Sequence, residues 1–364
     1  MLRSVPWDAN LPYNALPGIP DASQLETTRV LKAVIGARAE LARLDQAIDL
    51  MPDPHVLLNT IPLLEAQASS EIENIVTTTD ALFRHVQLDE RTADPAVKET
   101  LRYRTALWTG HRAMAERALT TRTAVDVCSQ IKGRRMDVRS LPGTRITDAD
   151  SGRIAYAPPE GEDLIRDKLA AWERFVHADD ELDPVVRMAA AHYQFEAIHP
   201  FTDGNGRTGR ILNILVLVQT GVLREPILYL SRPIIDTKAD YYRRLRAVTQ
   251  EGAWEEWLLY MVDAVRCAAA TTSAKIRSIT QARDEFVAKY RRSTPGMDHA
   301  EFRAALFSQP YARISQVIAA CQVSRPTATS WLNALERAGA LESVKIGRDR
   351  LFLNTGYLAA LTAS

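Results

Sequence analysis

Residues His199 to Arg210 read HPFTDGNGRTGR. Upstream, Val185 to Ile198 is an apolar run with helical periodicity. Downstream, ILNILVLVQT leads to Gly221, a residue suited to the position just past a helix end. The spacing therefore predicts a helix, a short polar loop and a second helix, with the loop rich in residue types that handle phosphate.

Gly204-Asn205-Gly206 can turn successive backbone N–H groups into one concave nest, because glycine tolerates positive φ. The following helix offers its unpaired first-turn N–H groups and the positive end of its dipole to the same place. The candidate phosphate-binding run is Gly204, Asn205, Gly206, Arg207, Thr208, Gly209 and Arg210. Arg207 and Arg210 lie three apart and share a face. Two arginines at a helix N-terminus oppose the dipole by about 0.3–1 kcal/mol each, which a bound polyphosphate would offset. Asp203 adds one carboxylate, as expected where Mg²⁺ takes most of its ligands from phosphate and water. His199 is the candidate general base, its ordinary pKa lying near neutrality. Taken singly these are ordinary turn and helix-end features; their convergence in one short run is not.

His199, Phe201, Asp203, Gly204, Asn205, Gly206, Arg207 and Arg210 reproduce H-x-F-x-[DE]-G-N-G-R-x-x-R, and in these residues the chain resembles the Fic family. The resemblance implies a helical-bundle core and transfer of AMP from ATP to a Tyr, Thr or Ser hydroxyl of a protein target, the protein itself included. It further implies that His199 deprotonates the hydroxyl and that Mg²⁺ on Asp203 bridges phosphates. Asn205 and Arg207 would hold the leaving pyrophosphate, Arg210 the γ-phosphate, and Phe201 would pack under the loop.

The run from Val56 to Ile75 is helical, and within it Ser69 and Glu73 share a face. On its own such a pair belongs on a solvated surface. Beside the Fic signature, Ser69, Glu73 and Asn74 resemble the family's inhibitory motif S-x-x-x-E-[GN]. The resemblance implies that Glu73 pairs with Arg210 and takes the place of the γ-phosphate.

Between Leu141 and Pro159 the helical period breaks, and TRI, TDADSG and RIAYAPP read as a short hairpin whose edge can accept another strand. It resembles the Fic flap, which implies that Arg153, Ile154, Ala155 and Tyr156 cover the nucleotide. Tyr241 and Tyr242 head a helix from Ala239 to Glu251. An aromatic pair is more often core than a base platform, but the resemblance implies an adenine contact here. His192 sits in an apolar run without metal-ligand spacing and reads as a core histidine, and Trp254 and Trp257 read as core.

The expected class is mainly α, with three parts. Residues 1–94 form an extended arm and helices carrying the inhibitory motif. Residues 95–292 form the catalytic core with a long trailing helix, and 293–296 read as interdomain punctuation. Residues 298–364 resemble a winged helix, with Arg325, Thr327, Thr329, Ser330 and Asn333 exposed on its second helix and a two-stranded wing. Residues 301–364 hold seven Lys/Arg and four Asp/Glu, only mildly basic, so DNA is open as a partner but not favoured. A homodimer is also open. Lys+Arg and Asp+Glu are both 45, so no global field draws the chain to nucleic acid or membrane. Three scattered cysteines without C-x-x-C argue against disulfides and structural zinc and suit a reducing cytoplasm. No signal-peptide or membrane-spanning pattern is expected. Two other readings compete with AMP transfer: a DNA-associated regulator that senses nucleotide, and a Fic enzyme that removes AMP. Retention of His199 favours an enzyme, since a sensor needs no base.

Overall fold

The computed structural model describes residues 7–49, 54–87, 94–148, 152–293, 299–346 and 349–363. The hairpin tip at 149–151 and residues 294–296 of the expected interdomain stretch lie outside the described residues. The chain is mainly α-helical. After an extended arm come α1 (Ala22–Leu25), α2 (Thr28–Asp49), α3 (His55–Ile72), α4 (Thr79–Gln87), α5 (Pro95–Ala113) and α6 (Thr121–Lys132). The strands β1 (Ile146–Thr147) and β2 (Ile154–Tyr156) follow, then α7 (Glu162–Val176), α8 (Pro184–Ile198), α9 (Asn205–Gln219), α10 (Ser231–Asp236), α11 (Lys238–Glu251) and α12 (Trp254–Ser293). The C-terminal part holds α13 (Ala300–Phe307), β3 (Tyr311–Arg313), α14 (Ile314–Cys321), α15 (Arg325–Arg337), β4 (Glu342–Ile346), β5 (Asp349–Leu353) and α16 (Thr355–Thr362).

Helix α8 is the axis. Every residue from Val185 to Ile198 is buried, the pattern of a helix surrounded by others, here α7, α9, α12 and α2. Pro184 at its first position and the Asp183 carboxylate on the Val185 N–H start it. The indoles of Trp172 and Trp257 each donate to an α8 carbonyl, Ala191 and Ala189, at 2.9 Å, so these rings satisfy their polar edge while filling the core. Helix α5 comes close enough to α9 that a Cβ on Gly110 would lie 2.6 Å from Leu215 Cδ1. Gly221 has φ 71° beyond α9, as its position predicts.

Helix α3 is fastened at two points. Glu65, fully buried, accepts from the Ser231 N–H at 2.7 Å, from the Ser231 hydroxyl and from the Tyr103 hydroxyl. At the other end, Ile75 N–H reaches back to Ser70 O at 3.0 Å and Asn74 N–H to Glu71 O at 2.9 Å. This is a Schellman closure with Asn74 in the left-handed region at φ 62°. The glycine-or-asparagine choice after Glu73 is thus a backbone requirement.

Several elements differ from expectation. The helix beginning at Pro95 stops at Ala113. Helix α6 is an addition to the expected elements, although Thr120 at its N-cap, Gly133 at φ 62° and an apolar stripe of Ala124, Val127, Cys128 and Ile131 mark it. Helix α10 is a second addition. The hairpin is present, β1 pairing antiparallel with β2. The two strands of the expected wing pair as β4 and β5, and β3 joins them in the order β3-β5-β4.

Because Asn74 occupies φ 62°, Asn74→Gly should leave unfolding in urea nearly unchanged. Asn74→Ala should cost about 1 kcal/mol, and Asn74→Val more. Equal midpoints for all three would show that this turn exerts no backbone constraint.

Candidate active site

The C-terminus of α8 and the N-terminus of α9 face each other across the loop 199–204. His199 ends α8 in the left-handed region at φ 49°, its N–H still bonded to Phe195 O at 3.0 Å. A non-glycine residue held there is strained and needs support from its surroundings. Asn205 supplies part of it: its side chain accepts from the Phe201 N–H and donates to the Phe201 carbonyl, each at 2.8 Å. Phe201 itself is buried against Phe195, ring centroids 6.2 Å apart, as expected for a residue under the loop. Gly204 caps α9 at φ 86°.

Expectation for the phosphate run needs three corrections. Asn205 spends both polar groups on Phe201, so it shapes the loop rather than presenting its amide to an anion. The Thr208 N–H is bonded to Gly204 O at 3.0 Å, so the open donors are the amides of Asn205, Gly206 and Arg207. Gly209 faces α8, where a Cβ would lie 2.5 Å from Glu196 Oε1; its role is close helix packing.

Both arginines of the run are buried and paired. Arg210, with 1% side-chain exposure, donates from Nε to Ser69 Oγ at 2.8 Å, and from Nη2 to Ser69 O at 3.0 Å and Glu73 Oε1 at 2.7 Å. A Cβ on Gly206 would stand 2.4 Å from that same Glu73 oxygen, so only glycine lets the carboxylate rest on the first turn of α9. Burial works against charge on Glu73, but Arg210, Arg207 and His199 together hold its carboxyl below the ordinary range. Asn74 Oδ1 accepts from Lys238 Nζ at 3.0 Å. Ser69 and Glu73 thus converge on Arg210, while Asn74 turns to Lys238.

Arg207 donates to Glu99 Oε1 at 2.6 Å. Lys132 pairs with Asp203 and lies 3.8 Å from Glu99. Burial opposes ionisation of Asp203, yet Lys132 keeps its carboxyl below the usual value. The Asp203 side chain is 55% exposed and already carries a cation. Among the described residues no three His, Cys, Asp or Glu side chains cluster as a metal cage. That donor set fits a magnesium ion whose other ligands come from phosphate and water.

The His199 imidazole is pushed down to about 4 by burial and by the Arg139 guanidinium, against the Glu196 carbonyl, Glu73 and Asp203. It is therefore neutral at pH 7, the form a general base requires. Its Nδ1 makes no hydrogen bond of good geometry.

The other expected contacts divide. Tyr241 is 1% exposed with its hydroxyl on His192 Nε2 at 2.8 Å, which removes it as an adenine contact and confirms His192 as core. Tyr242 is partly buried and lies edge-on to Tyr241; its phenol feels Glu73 and Arg210, so it borders the site. In the hairpin, Arg153 is exposed and Ile154 and Ala155 partly so. Tyr156 is turned inward, donating to Ala197 O at 2.8 Å, so it anchors the hairpin to α8 instead of covering a ligand. On α15, Arg325 and Ser330 are exposed, whereas Asn333 accepts from Arg350 at 2.9 Å and Thr327 pairs with Ser324.

Sequence reasoning missed Glu99, Lys132, Arg139 and Glu196. Glu196 is the accessible one, since a carboxylate three residues before His199 in a mostly apolar run is itself a signal. Its Oε1 is buried without a partner. Burial and Glu73 push its carboxyl up to about 7, with Arg210 opposing.

Comparison with known proteins places these features in a family. A model described as "Fic/DOC family N-terminal" matches residues 31–112, and one described as "Fic/DOC family" matches 118–217. A third, "Protein adenylyltransferase SoFic-like, C-terminal domain", matches 283–357. Protein adenylyltransferase fic-1 of Caenorhabditis elegans is 44% identical over 103 residues, 28% of this chain and 18% of that protein. Protein adenylyltransferase Fic of Nematostella vectensis is 32% identical over 126 residues, 34% of this chain and 27% of that protein. The chain thus spans about a fifth to a quarter of the length of these curated relatives. A crystal structure of a Fic family protein from Desulfovibrio desulfuricans shares the fold at TM-score 0.51 and 20% identity, covering 88% of this chain and 95% of that one.

The raised Glu196 carboxyl has a sign that can be measured. A carboxyl whose folded pKa exceeds its unfolded value destabilises the fold progressively as pH rises from about 4.5 to about 7. The total is about 3 kcal/mol, order of magnitude, at 1.36 kcal/mol per unit. Glu196→Gln should therefore gain stability relative to wild type between pH 5 and pH 8 in denaturant unfolding. A constant difference across that window would remove Glu196 as a titrating group.

Proposed function

This chain belongs to the Fic/DOC family, and from that premise we propose that it is a protein adenylyltransferase whose nucleotide seat is held shut by its own Glu73. The reading is carried by one observation: a carboxylate of α3 sits on the first turn of α9, paired with the arginine that ends the HPFTDGNGRTGR run.

In the reaction, neutral His199 takes the proton of a Tyr, Thr or Ser hydroxyl on a protein target. The freed oxygen attacks the α-phosphorus of ATP. A new P–O bond forms, the bond to the β-phosphate oxygen breaks, and pyrophosphate leaves while the proton stays on the imidazole. The open N–H groups of Asn205, Gly206 and Arg207, the α9 dipole and the Arg207 guanidinium stabilise charge on the departing group. Arg210 takes the γ-phosphate once Glu73 withdraws. Asp203 would hold Mg²⁺, which when bound neutralises phosphate charge. The hairpin edge holds the target segment extended by backbone pairing.

Inhibition follows from charge and space together. While Glu73 remains, a γ-phosphate would meet a carboxylate in place of a guanidinium, so ATP is repelled or seated with its α-phosphorus misaligned. Helix α3 reaches this position through Glu65 and the Schellman turn, so anything that shifts α3 would release the site. Residues 299–363 we read as a winged helix that serves protein contact, because the recognition-type side chains Asn333 and Thr327 are engaged within the module.

Incubation with ATP labelled at the α or γ position tests this. Glu73→Gly should raise α-label transfer to protein by about 10- to 100-fold over wild type, and Glu73→Gly/His199→Ala should abolish it. Transfer of γ-label alone would indicate a kinase-like reaction, and an unchanged rate in Glu73→Gly would remove the inhibitory role.

A further inference from the structure

The most concentrated set of contacts to the catalytic loop comes from a residue outside the signature. Arg139 lies in the irregular segment between α6 and β1 and is 3% exposed. Its backbone N–H donates to Pro200 O at 2.9 Å, its Nε to His199 O at 2.8 Å and its Nη2 to Ile198 O at 3.4 Å. One residue thus serves three successive carbonyls, at the end of the helix that delivers the base. The same Nη2 donates to Pro159 O, at the end of the hairpin segment.

The last carbonyls of a helix have no partner within it and carry the negative end of its dipole. At α8 this need is acute, because the helix ends in a strained left-handed histidine whose peptide groups must be held from outside. A guanidinium is well shaped to hold them, being planar, permanently charged and armed with several donors in fixed directions. Glu160, the residue after Pro159, accepts instead from Arg145 at 2.9 Å and from Gly143 N–H at 2.8 Å. The Arg139 charge is therefore spent on carbonyls rather than on a direct carboxylate partner, and its Nη1 is buried without one.

We propose that Arg139 is the positioning residue for the base: it caps α8, fixes His199 in its left-handed conformation and ties that residue to the hairpin that presents the target. This rests on His199 acting as the base of the proposed AMP transfer. The nucleotide seat lies on the other side of the loop, on α9 and α3, and Arg139 touches none of its donors. Its loss therefore misplaces the base without weakening the grip on phosphate.

The test is made in the full chain carrying Glu73→Gly, with Arg139→Gln and Arg139→Lys compared. Arg139→Gln should lower kcat for α-label transfer by about 10- to 100-fold while the ATP KM stays within about threefold. Arg139→Lys, which keeps one charged donor, should recover part of the loss. A kcat unchanged in Arg139→Gln, or a rise in ATP KM that accounts for the whole effect, would overturn the assignment. A crystal structure of Arg139→Gln decides the point without reference to activity. His199 should leave φ near 49° or split between conformers, and an unaltered His199 backbone and ring would overturn the proposal. If Glu73→Gly itself transfers no AMP, the functional reading fails, while the crystallographic comparison still decides whether Arg139 holds His199.

Discussion

A guanidinium buried at the positive end of a helix must have an anion beside it. Arg210 meets that condition in the second turn of α9, 1% exposed, with Glu73 and Ser69 as its partners. Removing the anion from a fully buried pair typically costs about 3–5 kcal/mol. Here the Glu73 side chain is 33% exposed, so the cost is smaller, but its direction is fixed. The same physics makes the position an attractive seat for phosphate. On the proposed reading, Glu73 and a γ-phosphate are alternatives for one guanidinium, each excluding the other. Much of the surrounding architecture serves that choice: Gly206 leaves room for the carboxylate, Asn74 turns the chain immediately after it, and Glu65 fastens the helix that carries it.

The second half of the site is the mirror of the first. Helix α9 presents unpaired N–H groups and attracts anions; helix α8 presents unpaired carbonyls and draws cationic donors, here Arg139. Between the two ends, His199 is kept neutral by burial and by that arginine. In the proposed reaction, the donors that meet the nucleotide tail and the acceptor of the target proton come from opposite helix poles, a few residues apart in sequence. The loop between them is closed on itself by Asn205, which bonds both backbone groups of Phe201.

The features legible in the residues alone are those whose chemistry is local. The glycine turn, the base before it, the paired arginines and the Ser69–Glu73 spacing need only helix geometry and a family likeness, and the expected ion pair is in place. Three kinds of feature escape such reading. Tyr241 and Tyr156 belong to the right elements, but which face of a helix or hairpin turns inward is decided by tertiary packing, and both hydroxyls are engaged in the core. Lys132 and Glu99 enter the site from α6 and α5, far away in sequence, and nothing in their neighbourhoods marks them as more than surface charges. Asn205 has the residue type of an anion ligand, whereas the backbone groups of Phe201 claim its amide first. Helix α6 is hard to read although its caps are present, because it is short and its buried stripe holds only two bulky apolar residues, Val127 and Ile131.

The most direct measurement is a crystal structure of the Glu73→Gly variant with a non-hydrolysable ATP analogue, beside wild type soaked in the same compound. The account predicts that in the variant the γ-phosphate lies within hydrogen-bonding distance of Arg210 Nη2, where the Glu73 carboxylate stood, with the α-phosphorus facing His199. In wild type that arrangement should be absent. A γ-phosphate seated away from Arg210 in the variant, or an identical triphosphate pose in both proteins with the Glu73–Arg210 pair intact, would contradict it.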